Sequence, residues 1–527
     1  MVAVPFSLRE DYWTTFNLLE EDVEFLYNYL LEKEIPLTSR ELMSALVGER
    51  IQREKLAMER QRSSRGDVYF PKDGFALKQN LVFPALDWRR GKVVATRKGW
   101  NPDLGEFDVI RVKFEGSEER EFASGLPNHY LNNPPQFSEL DPSLDPSFVL
   151  DTYGESLVEG LEADLEKNQN FVRIAGRWFP RALLMDITPG HLNLAEAILD
   201  VAGGGPMITS ALLEQIDIAS SINPKLLEFS FDLALEEDPR FDEVGPAGEI
   251  LWYLQRLEPA EVQQTPTYLR YTEMEHDRSL LTQAMLELER ELDDELSPVG
   301  GKYQTENVEI RLIFPHWRAG TLPLSARMRH IFPTSYEAPR IRFMLVDGDT
   351  GERFPGWVIR QNRYVYGLGE WYKTHDLMPG SLLRVKNGKR PGEVIVQSEN
   401  RRPTREWIRT LLVGSDGGVV FAMLKQVVSA AYDERMAIAV PDIEAVDRVW
   451  ERYQKERVPF ERIVVNTVRE LAKLNPQSHV HTSELYAAVN IIRRCPPGPI
   501  LALLASRPWF VHVGDLHYRF DDSERAG

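Results

Sequence analysis

A single cysteine, Cys495, stands in a chain of 527 residues. One thiol cannot close an intramolecular disulfide, and a large chain without such staples suits a reducing cytoplasm. No stretch approaches about 18 uninterrupted apolar residues, so no membrane span is expected. The opening residues, MVAVPFSLREDYW, lack the basic segment and apolar run of a secretory signal. An excess of positive charge is also missing. Lys and Arg total 62 against 81 Asp and Glu, a formal net charge of −19 that at first argues against a polyanionic partner. Hydrophobic residues at 43% and charged residues at 27% describe a folded chain. The length accommodates roughly three to five domains.

Catalytic signatures are missing too. There is no GxxxxGK[ST], GxSxG, HExxH or CxxC; Gly301-Lys302 has neither the upstream glycine nor a following hydroxyl. His479, His481 and Cys495 make a loose set without a fourth ligand, so no metal is expected. No base is identifiable for Cys495, and no nuclease carboxylate–lysine pattern stands out. A non-enzymatic protein without cofactor or small-molecule substrate follows.

What is present is unevenly distributed. Residues 1–150 carry a net −6, 151–300 carry −20, 301–400 carry +5 and 401–527 carry +2. One central block holds the whole acidic excess, and the segments after it are basic.

Period and punctuation place the elements. Val23, Leu26, Tyr27, Leu30 and Leu31 are spaced as on a helix. Pro36 breaks it, Thr38 or Ser39 caps a second helix through Leu42, Leu46 and Val47, and a third runs to about Arg62. Residues 15–67 are thus a winged-helix-like helical unit. Short strand-like runs between Gly, Pro and Asn-Pro turns make 68–130 a small SH3-like barrel. Its turn carries Arg97, Lys98 and Trp100. Pro, Asn and Asp mark 131–147 as a linker. Helical patterns with two hairpin-like pieces fill 148–259. Residues 267–296 read as one long acidic helix bridging 260–300. It either packs on one side, docks a basic partner, or covers the basic segment as a DNA mimic. Strands dominate 301–400, 401–458 reads as a helical connector, and 459–522 is helical with a final hairpin. The expected class is multi-domain α+β.

Thr38-Ser39, Thr209-Ser210 and Thr482-Ser483 each follow a helix and a turn and open a new helix. FVRIAGRWF from Phe171, FDEVGPAGEILWYL from Phe241 and FVHVGDLHYRF from Phe510 each describe a hairpin. Three helices and such a hairpin make a winged helix. Residues 192–254 and 460–520 fit throughout, 20–70 fits at the front, and 149–184 fits at the back. The 192–254 copy resembles the small winged-helix family typified by the RNA polymerase delta subunit. Its third helix, NPKLLEFSFDLALEED, is acidic and apolar, and that of the last copy, PGPILALLAS, has no polar readers. Only the first copy has charge for phosphate contact: Arg50, Arg53, Lys55, Arg60, Arg62 and Arg65.

Residues 308–397 carry a second resemblance. Leu322-Pro323, the Asp347–Gly351 turn, Trp357, Tyr364-Val365, Gly369-Glu370-Trp371 and Leu377-Met378-Pro379-Gly380 follow in the order of the plant B-three DNA-binding domain. That seven-stranded pseudobarrel also occurs in bacterial restriction-enzyme effector domains. Ser381 stands where the family often has Asp. The resemblance implies two arms gripping a major groove. One is His316, Trp317, Arg318, Ala319, Gly320 and Thr321; the other is Arg360, Gln361, Asn362, Arg363 and Tyr364. Arg can pair with guanine and Asn or Gln with adenine. Arg401, Arg402, Arg405 and Arg409 follow the segment.

The expected function is a cytoplasmic transcription regulator or nucleoid-associated protein that binds double-stranded DNA through the pseudobarrel arms. An adaptor for RNA polymerase or another protein is the alternative, and the recognition component of a restriction or defence system is the second.

Overall fold

The computed structural model describes all residues except 1–7, 9–10, 64–66, 87–88, 103–104, 115–117, 133–141, 217, 219–222, 299, 302, 304, 336, 391, 416 and 524–527. The fold is mixed α+β. It divides into two compact units, residues 1–186 with 221–229, and residues 187–220 with 230–527.

The first unit opens with α1 (Glu20–Lys33), β1 (Leu37–Thr38) and α2 (Ser39–Ser63). The Asp22 carboxylate accepts the Leu19 amide at 3.0 Å and starts α1. The two helices expected over 39–62 are one, because no breaker interrupts residues 39–63. A five-stranded sheet follows: β2 (Asp67–Val68), β3 (Asn80–Phe83), β4 (Arg89–Asn101), β5 (Gly105–Phe114) and β6 (Glu119–Ser124), in sequence order. Tyr69, Phe83, Phe114 and Phe122 stack inside it with Leu81, Val93, Ile110 and Val112. The helical pattern then resumes in α3 (Pro146–Leu165), capped by Asp145 with Pro146 at its first position, and ends in β7 (Phe171–Ile174) and β8 (Arg177–Pro180). β1 pairs with β8 and β8 with β7. The front fragment at 20–70 and the back fragment at 149–184 are therefore one module, with the five-stranded sheet inserted between its second and third helices.

A second copy of that module follows in the chain. α4 (Pro189–Val201), β9 (Met207–Ile208), α5 (Thr209–Leu213), α6 (Pro224–Glu236), β10 (Phe241–Glu243) and β11 (Leu251–Leu254) have the sheet order β10-β11-β9. Side chains repeat as well. Ser39 Oγ donates to Glu162 Oε1 (2.5 Å) and accepts from Trp178 Nε1 (3.0 Å). Thr209 Oγ1 donates to Asp232, whose Oδ1 accepts from Trp252 Nε1 at 2.9 Å. Ser39 is thus the counterpart of Thr209 and Thr482, one residue later than the Thr-Ser alignment indicated.

After α7 (Ala260–Gln263) comes α8 (Gln283–Leu292). The long helix expected over 267–296 is absent. Pro266 and the Asp277 side chain direct two short 3₁₀ turns, and Thr282 caps α8 anew. A seven-stranded mixed sheet, curled into a half-barrel, follows. Its elements are β12 (Asn307–Arg311), α9 (Phe314–Ala319), β13 (Thr321–Pro323), β14 (Arg340–Asp347), β15 (Arg353–Ile359), β16 (Tyr364–Tyr366), α10 (Gly369–Thr374), β17 (Leu382–Asn387) and β18 (Glu393–Ser398). The order is β12-β17-β18-β14-β15-β16-β13, with β14 and β18 parallel.

Residues 401–430 are not helical: β19 (Asn400–Val413) and β20 (Val419–Ala430) form a separate two-stranded ribbon. Its β-branched and aromatic residues close around a Gly-rich turn, which strand pairing favours over a helix. α11 (Ile443–Lys455), capped by Asp442, is the only helix among the described residues of the expected connector. The last module contains α12 (Phe460–Ala472), β21 (Val480–His481), α13 (Thr482–Ile492), α14 (Pro497–Ser506), β22 (Phe510–Gly514) and β23 (His517–Phe520), in sheet order β21-β23-β22. Here Leu501 and Tyr518 replace the acid and the tryptophan, and Thr482 donates to the Leu516 carbonyl.

Within the second unit, Val244, Tyr253, Val262, Trp357, Ile359 and Tyr364 join the first of its modules to the half-barrel. Beside them Arg340 Nε reaches Asp242 Oδ2 (2.8 Å) and Nη1 reaches Glu258 Oε2 (3.2 Å). Burial pushes the Glu258 carboxyl up to about 8; Asp242 adds to this and Arg340 opposes it. A carboxyl raised on folding stabilises below its ordinary value of 4.5, and that stability is lost as pH climbs to about 8. Glu258→Gln keeps the shape without the proton. Its melting temperature relative to wild type should therefore rise between pH 5 and pH 8.5. A difference that stays flat across this range would contradict the assignment.

Candidate nucleic-acid interface

The two expected arms lie on α9–β13 and on the β15–β16 turn, and their side chains are occupied from within the chain. Trp317 Nε1 donates to the Leu377 carbonyl at 2.6 Å. Arg318 pairs with Asp447 of α11 (2.9 Å) and lies over the Tyr268 ring. Thr321 is fully buried, its hydroxyl 2.9 Å from His316 Nδ1. Arg360 donates to the carbonyls of Phe332 (2.9 Å) and Pro333 (2.7 Å). Arg363, in the left-handed region, donates to the Glu295 carbonyl at 3.0 Å. The buried Tyr364 phenol donates to the Glu261 carbonyl at 2.6 Å. Only Gln361 and Asn362 are exposed without such a bond among the described residues. Of the expected interface, Trp317, Arg318, Thr321, Arg360, Arg363 and Tyr364 all make internal contacts, and Arg318 and Arg363 remain exposed.

The acidic stretch from the end of α8 onward pairs mainly with side chains outside the arms and reaches the arms at Arg363 and His316 through Glu295. Glu291 pairs with Arg311 (2.7 Å), and Asp293 with Arg327 (3.1 Å) and the Ser325 hydroxyl. Glu295 Oε2 lies 3.2 Å from the fully buried His316. Asp294 and Glu295 each meet Arg494 at 2.7 Å, and the Tyr486 phenol donates to Asp294. Burial pushes the Glu295 carboxyl up, but Arg494 and His316 outweigh it and hold the group well below the carboxylate range. The contacts of this segment run both to the half-barrel and to the last module.

The first unit behaves similarly. Arg53 pairs with Asp22 (2.7 Å), Glu21 (3.3 Å) and Glu49 (3.3 Å), and Arg50 is buried against Asp22. The side chains of Arg60 and Arg62 and the whole of Arg65 lie outside the described residues. In the five-stranded sheet Arg97 pairs with Glu121 (2.5 Å) and Lys98 with Asp108 (2.8 Å), leaving Trp100 exposed at the tip. Exposed Asp151, Glu155 and Glu159 line α3, a surface that repels phosphate. Cys495 is buried beside Arg494, and burial pushes its thiol well up, which makes it inert as a nucleophile.

The β19–β20 ribbon carries uncommitted positive charge, as do exposed Lys386, Lys389 and Arg390 of the half-barrel. Among the described residues Arg401, Arg402 and Arg405 are exposed and make no ion pair or hydrogen bond. Trp407 is 61% exposed and pairs across the strands with Lys425, whose ammonium lies 5.4 Å from the indole centroid. Arg409 does not join them: it is turned inward onto the Arg435 carbonyl (2.9 Å) and Glu484 (3.0 Å). Cross-strand neighbours share a face, so the ribbon presents Arg405 and Val427 beside Trp407 and Lys425. Trp407 and Lys425 went unnoticed in the sequence because a helical assignment scatters residues that strand pairing brings together. Comparison with known protein families, curated proteins and solved structures finds no match to this chain.

Proposed function

We propose that this is a non-enzymatic, cytoplasmic protein that binds double-stranded DNA through the β19–β20 ribbon, as a transcription regulator or nucleoid-associated protein. The observation that carries this reading is the contrast in commitment: arm cations are bonded internally, whereas Arg401, Arg402, Arg405 and the Lys425–Trp407 pair face solvent. A B-DNA major groove admits a two-stranded β-ribbon, and free guanidinium groups serve both phosphates and guanine edges. Under this reading the three repeated modules are winged helices kept as scaffold. The insert is an SH3-like barrel, and the half-barrel is a B-three-like pseudobarrel whose arms have been sealed. The acidic or buried third helices α3, α6 and α14 support the scaffold role.

The full chain titrated against a labelled duplex, with fluorescence anisotropy as readout, should bind with an affinity that falls steeply as salt rises. Absence of saturable binding at low salt would overturn the proposal. The adaptor reading has one observation in its favour, the exposed Met423, Leu424 and Val427 on the same ribbon. A protein partner held by those residues would be retained at high salt.

A further inference from the structure

We propose that Asp347, Asp349 and His375 form a site for a first-row divalent cation, of the zinc or manganese type. One ligand atom from each lies within 4.8 Å of the others, at the β14–β15 turn and the end of α10. Asp347 Oδ1 accepts the amides of Asp349 (2.8 Å) and Thr350 (3.3 Å), which fixes the turn and leaves Oδ2 toward His375.

The imidazole supplies the independent observation. His375 Nδ1 lies 3.0 Å from the Trp371 carbonyl, an atom that can only accept, so Nδ1 carries hydrogen. In the neutral ring Nε2 then holds a lone pair, and it faces Asp347 Oδ2, another acceptor, at 3.3 Å. Two acceptors at that distance repel unless positive charge stands between them. The side chain is only 9% exposed, and Trp371 packs on the ring with centroids 4.5 Å apart, so the imidazole cannot turn away. A ring held at one nitrogen by a backbone carbonyl, with the other aimed at carboxylates, is how proteins orient a metal-binding histidine. The 3.3 Å separation is also close to the edge of a tetrahedron with bonds of about 2.0–2.1 Å.

Imidazole with two carboxylates favours zinc, manganese or iron over calcium or magnesium. Asp349 lies at the surface, and its Oδ1 accepts from Gln397 Nε2 at 2.8 Å. A bound ion would clamp the β14–β15 turn to α10 and so stiffen one end of the half-barrel.

The test is calorimetric titration of the full chain with zinc chloride alone. Wild type should take up one saturable equivalent. Asp349→Asn, at an exposed position, should weaken it about tenfold or more, and His375→Gln should abolish it, with unchanged circular dichroism in chelator. Equal zinc binding by wild type and Asp349→Asn, or no saturable equivalent, would overturn the site.

Discussion

Arg494→Ala should destabilise the second unit by about 3–5 kcal/mol, the cost of stranding buried charge once its partner is removed. Arg494 is fully buried, and its guanidinium meets Asp294 and Glu295 at 2.7 Å each and Asn490 Oδ1 at 3.0 Å. Deleting it leaves two carboxylates without their main counter-charge, and His316 remains as the nearby group on Glu295. Arg494→Lys should recover only part of the loss, because one ammonium cannot reproduce a fork that serves two carboxylates. Urea unfolding followed by tryptophan emission measures this. The loss should be nearly independent of salt, since buried pairs are poorly screened. A loss below about 1 kcal/mol would show that the network is dispensable.

This network also explains why the arms are sealed. Asp294 and Glu295 follow α8, Arg494 follows α13, and His316 belongs to α9, so one buried cluster holds the acidic stretch, the last module and the half-barrel together. An acidic segment so placed is a permanent part of the core, not a detachable cover.

The second large effect follows. Changing Arg401, Arg402 and Arg405 to Gln removes three uncommitted charges without touching a buried contact. Duplex affinity should fall roughly a hundredfold at low salt, at about 1 kcal/mol per contact, with no change in melting temperature. The same change at Arg360 or Arg363 would disturb carbonyl contacts and confuse folding with binding.

How far the sequence reached is clear from particular residues. The start of each second helix and the Phe that opens each hairpin were readable, but only Thr38 caps its helix; the hydroxyls of Thr209 and Thr482 bond Asp232 and the Leu516 carbonyl instead. Between Asn307 and Ser398 strands dominate as the apolar runs indicated, but a helix, α9, stands at Phe314–Ala319 where the first arm was expected. The joining of 20–63 to 146–180 was not readable as one module, because a five-stranded insert separates the halves. The bridging helix failed at Pro266, Asp277 and Thr282, where starts and stops interrupt an apolar period that looked continuous. At the arms the sequence showed residue type but not surroundings. Residue type at Arg318 and Arg363 suited DNA, but availability depends on partners far along the chain, Asp447 and the Glu295 carbonyl.

The most direct measurement is the salt dependence of duplex binding for three proteins: wild type, the Arg401→Gln/Arg402→Gln/Arg405→Gln variant, and a Gln361→Ala/Asn362→Ala variant of the exposed arm tip. Contact through the ribbon predicts that the first variant lowers the slope of log affinity against log salt by about 2.7, at about 0.9 per phosphate contact, while the second keeps the wild-type slope. An unchanged slope in the ribbon variant, with binding lost in the arm variant, would contradict it.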